Sequence, residues 1–170
     1  MVACDHLVLT MRNILVLLVI VMVPLAGTAS VGRKCEYGWE RFGRNCYKYI
    51  SVEKTWTASE QHCISLGGNL ASVHSLQTHN FLKRFSKTKA GKYVRTWIGG
   101  HDATENFQWL WSDGTKFDFT AWLTDEPNNA GNAEHCVEMN YGGGVLWNDA
   151  RCNTALYSVC QKPAAVDYVM

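Results

Sequence analysis

The chain opens on a run that is apolar at every position from Ile14 to Leu25, with Arg12 the only basic residue before it. That run is shorter than the ~20 apolar residues that span a bilayer comfortably. Small residues follow, and Gly27 and Ala29 stand at the third and first positions before a cut that requires small side chains. Residues 1–29 are therefore read as a signal peptide, with 30–170 as the mature domain; a type II membrane anchor is the competing reading. Met11 offers a second start, since Met11 to Ala29 is a complete signal by itself.

Beyond it, the apolar spacing changes repeatedly. Cys35 to Ile50 reads as a short disulfide-rich hairpin carrying Tyr37, Trp39, Phe42, Tyr47 and Tyr49. Thr57 and Glu60 form a T-x-x-E capping box for a first helix that Gly67-Gly68 stops. A second helix starts after Ser75, with Leu76, Phe81, Leu82 and Phe85 on its inner side. After residue 93 the helical period disappears, and strand-like runs follow at Tyr93–Ile98, Phe107–Trp111, Cys136–Met139 and Leu156–Gln161. Between them lies the polar stretch Asp113–Glu134, with Trp122 and Leu123 as anchors. A loop of that length inside a compact domain is usually functional or disordered, and the anchors argue for function.

Composition narrows the class. With 170 residues, the chain fits one domain plus an appendage. A net charge of +1 argues against nucleic acid as partner, and 47% hydrophobic residues argue against disorder. The basic residues Lys83, Arg84, Lys87, Lys89 and Lys92 are read as a solvated helix end whose cations suit the macrodipole, rather than as a patch for an anionic ligand. No N-x-[ST] sequon, internal repeat, collagen-like tract or coiled-coil neck is present.

Cys4 leaves with the signal, and Cys35, Cys46, Cys63, Cys136, Cys152 and Cys160 remain. An even number in a secreted chain reads as a disulfide framework, although spacing alone does not choose the pairing. Zinc is disfavoured because there is no Cys-x-x-Cys pair.

The chemistry lies in Glu126-Pro127-Asn128, Glu134 and Asn148-Asp149. Three carboxylates and two amide carbonyls would supply most of the shell of Ca2+, which takes six to eight oxygens at about 2.3–2.6 Å. Magnesium wants a tighter octahedron, and transition metals prefer imidazole or thiolate. A cis Glu126-Pro127 bond is expected, turning both flanking side chains the same way. Cys136 follows Glu134 closely and Cys152 follows Asp149, so one disulfide would clamp both halves of the site.

Together with Cys63, Trp97-Ile98-Gly99, Trp111-Ser112-Asp113-Gly114 and Cys160, these segments resemble the C-type lectin domain over residues 35–161. The resemblance implies an α+β fold of two helices flanking small antiparallel sheets, with a long calcium-binding loop. It implies the disulfides Cys63–Cys160 and Cys136–Cys152, with Cys35–Cys46 as in the long form of the domain. It implies that Glu126, Asn128, Glu134, Asn148 and Asp149 hold one calcium ion and also bind the carbohydrate. Glu-Pro-Asn goes with mannose-type sugars in this family, and Gln-Pro-Asp with galactose-type sugars. The chain departs from the pattern at Gly100, where leucine is common and some core packing is expected to be lost. It also departs at Asn129 and His135, often aspartate where auxiliary calcium sites exist, which leaves Asp102 and Glu105 as weak candidates for a second site. Tyr141-Gly142-Gly143-Gly144 lengthens the loop before Trp147.

The resulting expectation is a secreted, extracellular lectin that recognises mannose-type glycans, such as those of microbial surfaces in innate immunity, without membrane insertion. The alternative is a non-sugar binder on the same fold, as the resemblance to type II antifreeze proteins suggests. Catalysis is not expected. His74 and His79 miss the i, i+4 zinc-protease spacing, no G-x-S-x-G is present, and calcium would keep Glu126 and Glu134 ionised. His135 beside Glu134 is read as a surface histidine rather than a pH sensor. Any oligomer would form through the domain surface.

Overall fold

The computed structural model describes residues 32–167. The proposed signal segment, Cys4 and Met11 lie outside the described residues. The ten strands are β1 (Gly32–Lys34), β2 (Glu40–Phe42), β3 (Asn45–Lys54), β4 (Asn69–Leu70), β5 (Thr96–His101), β6 (Leu110–Trp111), β7 (Cys136–Tyr141), β8 (Leu146–Ala150), β9 (Leu156–Pro163) and β10 (Ala165–Asp167). The helices are α1 (Trp56–Ser65) and α2 (Leu76–Ala90). β1 and β10 pair antiparallel as a small sheet that brings both ends of the domain together. The main sheet runs β2-β3-β9-β5-β7-β8, with β4 on β9 and β6 on β5; only β5–β9 is parallel. The disulfides are Cys35–Cys46, Cys63–Cys160 and Cys136–Cys152, the three that the resemblance implied.

The local signals were read correctly at α2 and partly at α1. Ser75 caps α2, accepting from the Thr78 N–H, and Gly91 ends it at φ +77°. Phe81, Leu82 and Phe85 are buried, with Phe81 stacked on Phe42 at 4.4 Å, but Leu76 is 57% exposed and does not belong to the inner face. At α1 the capping residue is Thr55, whose Oγ1 accepts from Ala58 N, rather than Thr57. Glu60 is not half of a capping box. Its buried carboxylate accepts from Leu70 N at 2.7 Å, Asn69 Nδ2 at 2.6 Å and Ser112 Oγ at 3.1 Å, clamping α1 to β4 and to the turn after β6.

Gly100 also differs from expectation, because no packing is missing there. A Cβ at that position would lie 2.5 Å from Val137 Cγ2 and 3.3 Å from the Trp111 ring, so its neighbours already fill the space. The core gathers around Trp147, fully buried and edge-on to Trp111 at 5.8 Å, Trp122 at 5.7 Å and Phe119 at 5.9 Å. Edge-to-face ring pairs at these separations add to what burial alone contributes. Trp147 opens the Trp-Asn-Asp segment, so the core is built directly beneath the candidate site.

Candidate functional site

The long loop is tied to this core at its midpoint. Leu123 N donates to Trp147 O and Trp147 N to Ala121 O, both at 2.8 Å. Trp122 lies between Trp109 and Trp147. The Cys136–Cys152 bridge closes the exit. Beyond Leu123 the chain turns back, with Glu126 N donating to Leu123 O at 3.0 Å, and the Glu126-Pro127 bond is cis, as expected.

Four of the five candidate ligands come together. Asp149, fully buried on β8, accepts from Asn128 N at 3.0 Å and Asn129 N at 2.7 Å, sewing the strand to the loop. The Glu126 carboxyl is pushed up to about 7. Burial is the largest cause, followed by its hydrogen bond to Asp149 and the negative charges of Asp149 and Glu134. Glu134 is raised as well, by burial first, with the Asp149 charge adding and the hydrogen bond from Ala130 N at 3.1 Å opposing. Asn148 is placed differently. Its Nδ2 donates to Glu138 Oε1 at 2.8 Å, and no hydrogen bond joins its side chain to Glu126, Asn128 or Glu134.

Three residues support the site in roles that the sequence did not suggest, and only Glu138 among them had not been singled out at all. Glu138 is fully buried on β7, directly opposite Asn148, and takes a two-pronged bond from Arg95 at 2.6 and 2.8 Å. The signal was a lone acid among apolar neighbours in the run Cys136–Met139. Asn129 is buried at φ +46°. Its Oδ1 accepts from Glu134 N at 3.0 Å, and its Nδ2 donates to Asn106 Oδ1 at 2.8 Å. Asp102 is also buried. One oxygen accepts from Phe107 N at 2.6 Å and the other meets His135 Nδ1 at 2.9 Å. Asp102 is thus spent within the loop, Glu105 is exposed, and His135 is a partner of Asp102 rather than a free surface histidine.

Among the described residues, no three His, Cys, Asp or Glu side chains form a ready-made metal cage. The candidate set adds two amide oxygens, those of Asn128 and Asn148, to its carboxylates. The more telling observation is Glu126 Oε2, a buried carboxylate oxygen with no hydrogen-bond partner. Buried polar atoms rarely stay unpaired, and a carboxylate crowded by two others is relieved by a cation as well as by a proton. The donors are all oxygens, which suits a hard cation such as calcium.

Comparison with known proteins agrees with this architecture. The sequence model of the family described as Lectin C-type domain matches residues 52–162. Ladderlectin of Oncorhynchus mykiss is 42% identical over 130 residues, covering 76% of this chain and 68% of its own. The galactose-specific lectin nattectin of Thalassophryne nattereri is 38% identical over 135 residues, covering 79% and 84%. The structure of herring type II antifreeze protein superposes with a TM-score of 0.71 at 32% identity, covering 76% of this chain and 98% of that one. The chain belongs to the C-type lectin domain family.

Proposed function

We propose that this chain is a secreted lectin that binds carbohydrate through one calcium ion held by Glu126, Asn128, Glu134, Asn148 and Asp149, with mannose-type specificity. The observation that carries the reading is the buried, unpartnered Glu126 Oε2, in a carboxyl pushed up to about 7 beside Asp149 and Glu134. Calcium, when bound, would supply a positive centre that attracts two vicinal sugar hydroxyls. Around it, Glu126 and Glu134 accept hydrogen bonds from those hydroxyls, while Asn128 and Asn148 donate to them. Asn148 gives one of its two amide N–H groups to Glu138 and keeps the other for a ligand. The donor–acceptor order at Glu126 and Asn128 favours two equatorial hydroxyls, because the reversed order would leave a buried polar group unpaired. A single sugar buries little surface, so a site affinity near 1 mM, about −4 kcal/mol, is expected, with avidity from several sites. Secretion is supported by the three disulfides, and recognition of microbial glycans in innate immunity would suit such a site. The reading is non-enzymatic.

The galactose specificity named for nattectin and the likeness to the herring antifreeze protein set the alternatives. Both are tested by passing the mature protein over immobilised mannose with calcium. Retention abolished by EDTA or free mannose, but not by galactose, supports the proposal. Elution by galactose overturns the mannose reading. Failure to bind any sugar despite measured calcium binding, with thermal hysteresis in ice, overturns the lectin reading itself.

A further inference from the structure

No aspartate or glutamate occurs between Glu60 and Asp102, while six basic residues fall between Lys83 and Arg95. In a chain of net charge +1 this is a strong local excess. Along the chain it reads as a solvated helix end whose cations suit the macrodipole, with Phe85 and Tyr93 as the aromatic residues of the run. The fold adds two more from elsewhere: Tyr49 comes from β3 and Tyr157 from β9, their ring centroids 5.9 Å apart. Together with Lys89, Lys92 and Val94 they wall a cleft of about 180 Å³. A second cleft of about 390 Å³ continues from it, sharing Lys92, Val94 and Tyr157 and extending to Tyr93 and Arg95. The two adjoin across those three residues and together make an open groove beside the C-terminal end of α2.

The charges along it are weakly neutralised. Lys89 has one ion pair, with Glu40 at 3.9 Å and both side chains about half exposed, a contact worth little, and its ammonium lies over the Phe85 ring at 5.4 Å. Lys92 has no ion pair among the described residues. Lys87 lies over the Tyr93 ring at 4.6 Å, and Arg95 is committed to Glu138. Glu53 is the one acid at the rim. The helix macrodipole accounts for Lys87 and Lys89 in the last turn. It does not account for Lys92, which follows the Gly91 cap, or for the groove on which Lys89 and Lys92 converge. Tyr49 contributes its ring to the wall, while its hydroxyl is buried without a hydrogen-bond partner.

We propose that this groove is a second, calcium-independent binding site for a sulfated polysaccharide. A groove rather than a closed pocket fits a linear polymer. Exposed ammonium groups meet its sulfates, while the half-buried rings of Tyr49 and Tyr157 wall the cleft beside them. Single-stranded nucleic acid would need open stacking platforms; Tyr93, 41% exposed, already carries the Lys87 ammonium.

The test uses the mature protein in EDTA, which disables any calcium site, on immobilised dextran sulfate at 0.15 M NaCl with neutral dextran as reference. Retention on dextran sulfate alone is expected. The double variant Lys89→Glu, Lys92→Glu should bind roughly tenfold more weakly, with a salt slope shallower by about two, the behaviour of lost polyanion contacts. The charge-matched variant Arg44→Glu, Lys116→Glu should bind like the parent. Thermal unfolding of each variant verifies folding before its binding is read. Equal loss in both variants would show general charge attraction and overturn the site. Equal retention on single-stranded DNA of matched charge would overturn the ligand class.

Discussion

His79 offers a test of how the core supports the site. Its side chain is 2% exposed on α2, its Nδ1 accepts from Trp147 Nε1 at 3.2 Å, and its Nε2 has no partner. The ring is therefore neutral, with its proton on Nε2. Its pKa is pushed down from 6.5 to about 4, by burial first and by the nearby Lys83 charge second. Between those values the unfolded chain binds a proton that the folded one refuses. Stability from this group is thus complete above about pH 7 and falls as the pH drops through the window. The loss works out at about 2 kcal/mol by pH 5 and about 3 kcal/mol by pH 4. The perturbation is His79→Asn, whose Oδ1 can take the Trp147 bond but cannot become charged. Urea unfolding followed by tryptophan fluorescence, in EDTA at pH 7.5, 6 and 5, measures both proteins. Carboxylates common to both cancel in the difference. At pH 7.5 the variant should be less stable by about 1–2 kcal/mol, from the smaller side chain. By pH 5 that deficit should vanish, because the parent has lost as much. A deficit that stays constant from pH 7.5 to 5 would refute a buried neutral His79.

Three further outcomes are expected. Glu138→Ala should weaken calcium binding by roughly tenfold in titration calorimetry, since outer-shell partners of this kind orient their ligands; unchanged affinity would separate Asn148 from the ion. Gly100→Leu should lower stability by about 1–3 kcal/mol in urea unfolding, because the Cβ alone meets Val137 at 2.5 Å; a neutral result would mean that β5 and β7 part without cost. Calcium affinity should fall as pH drops from 8 to 6, since Glu126, raised to about 7, must release its proton to bind the ion; a flat profile would exclude Glu126 from the ligand set.

The sequence disclosed the donors far more readily than their supports, and the reason is separation along the chain. Glu126, Asn128 and Glu134 lie in one loop and Asn148-Asp149 in one strand, so oxygen-rich chemistry is visible as a short string. Ser75 was similarly legible because a cap acts on its own turn. Glu60 was misread for the converse reason. Its partners Leu70 and Ser112 are ten and 52 residues away, and only the fold shows that a local capping pattern has been put to another use. β8 escaped notice because its polar Asn148 and Asp149 break the apolar signature of a strand, although both are buried.

The same separation explains what the supports contribute. Trp147 receives the loop backbone at Ala121 and Leu123 and bonds to His79, 68 positions earlier. Glu138 holds Asn148 and is held by Arg95, 43 positions earlier. These contacts form only when α2, β5, β7 and β8 are packed, so the ligand-bearing segments are placed by the whole core and not by the loop. The loop itself brings negative charges together, as the raised Glu126 and Glu134 show. Left to local preference it would open to separate them. The tryptophan core and the Cys136–Cys152 bridge resist that opening, and a cation that neutralises the carboxylates removes the reason for it. Folding and ion binding therefore favour the same loop conformation: loosening the core should weaken the ion, and supplying the ion should stabilise the core.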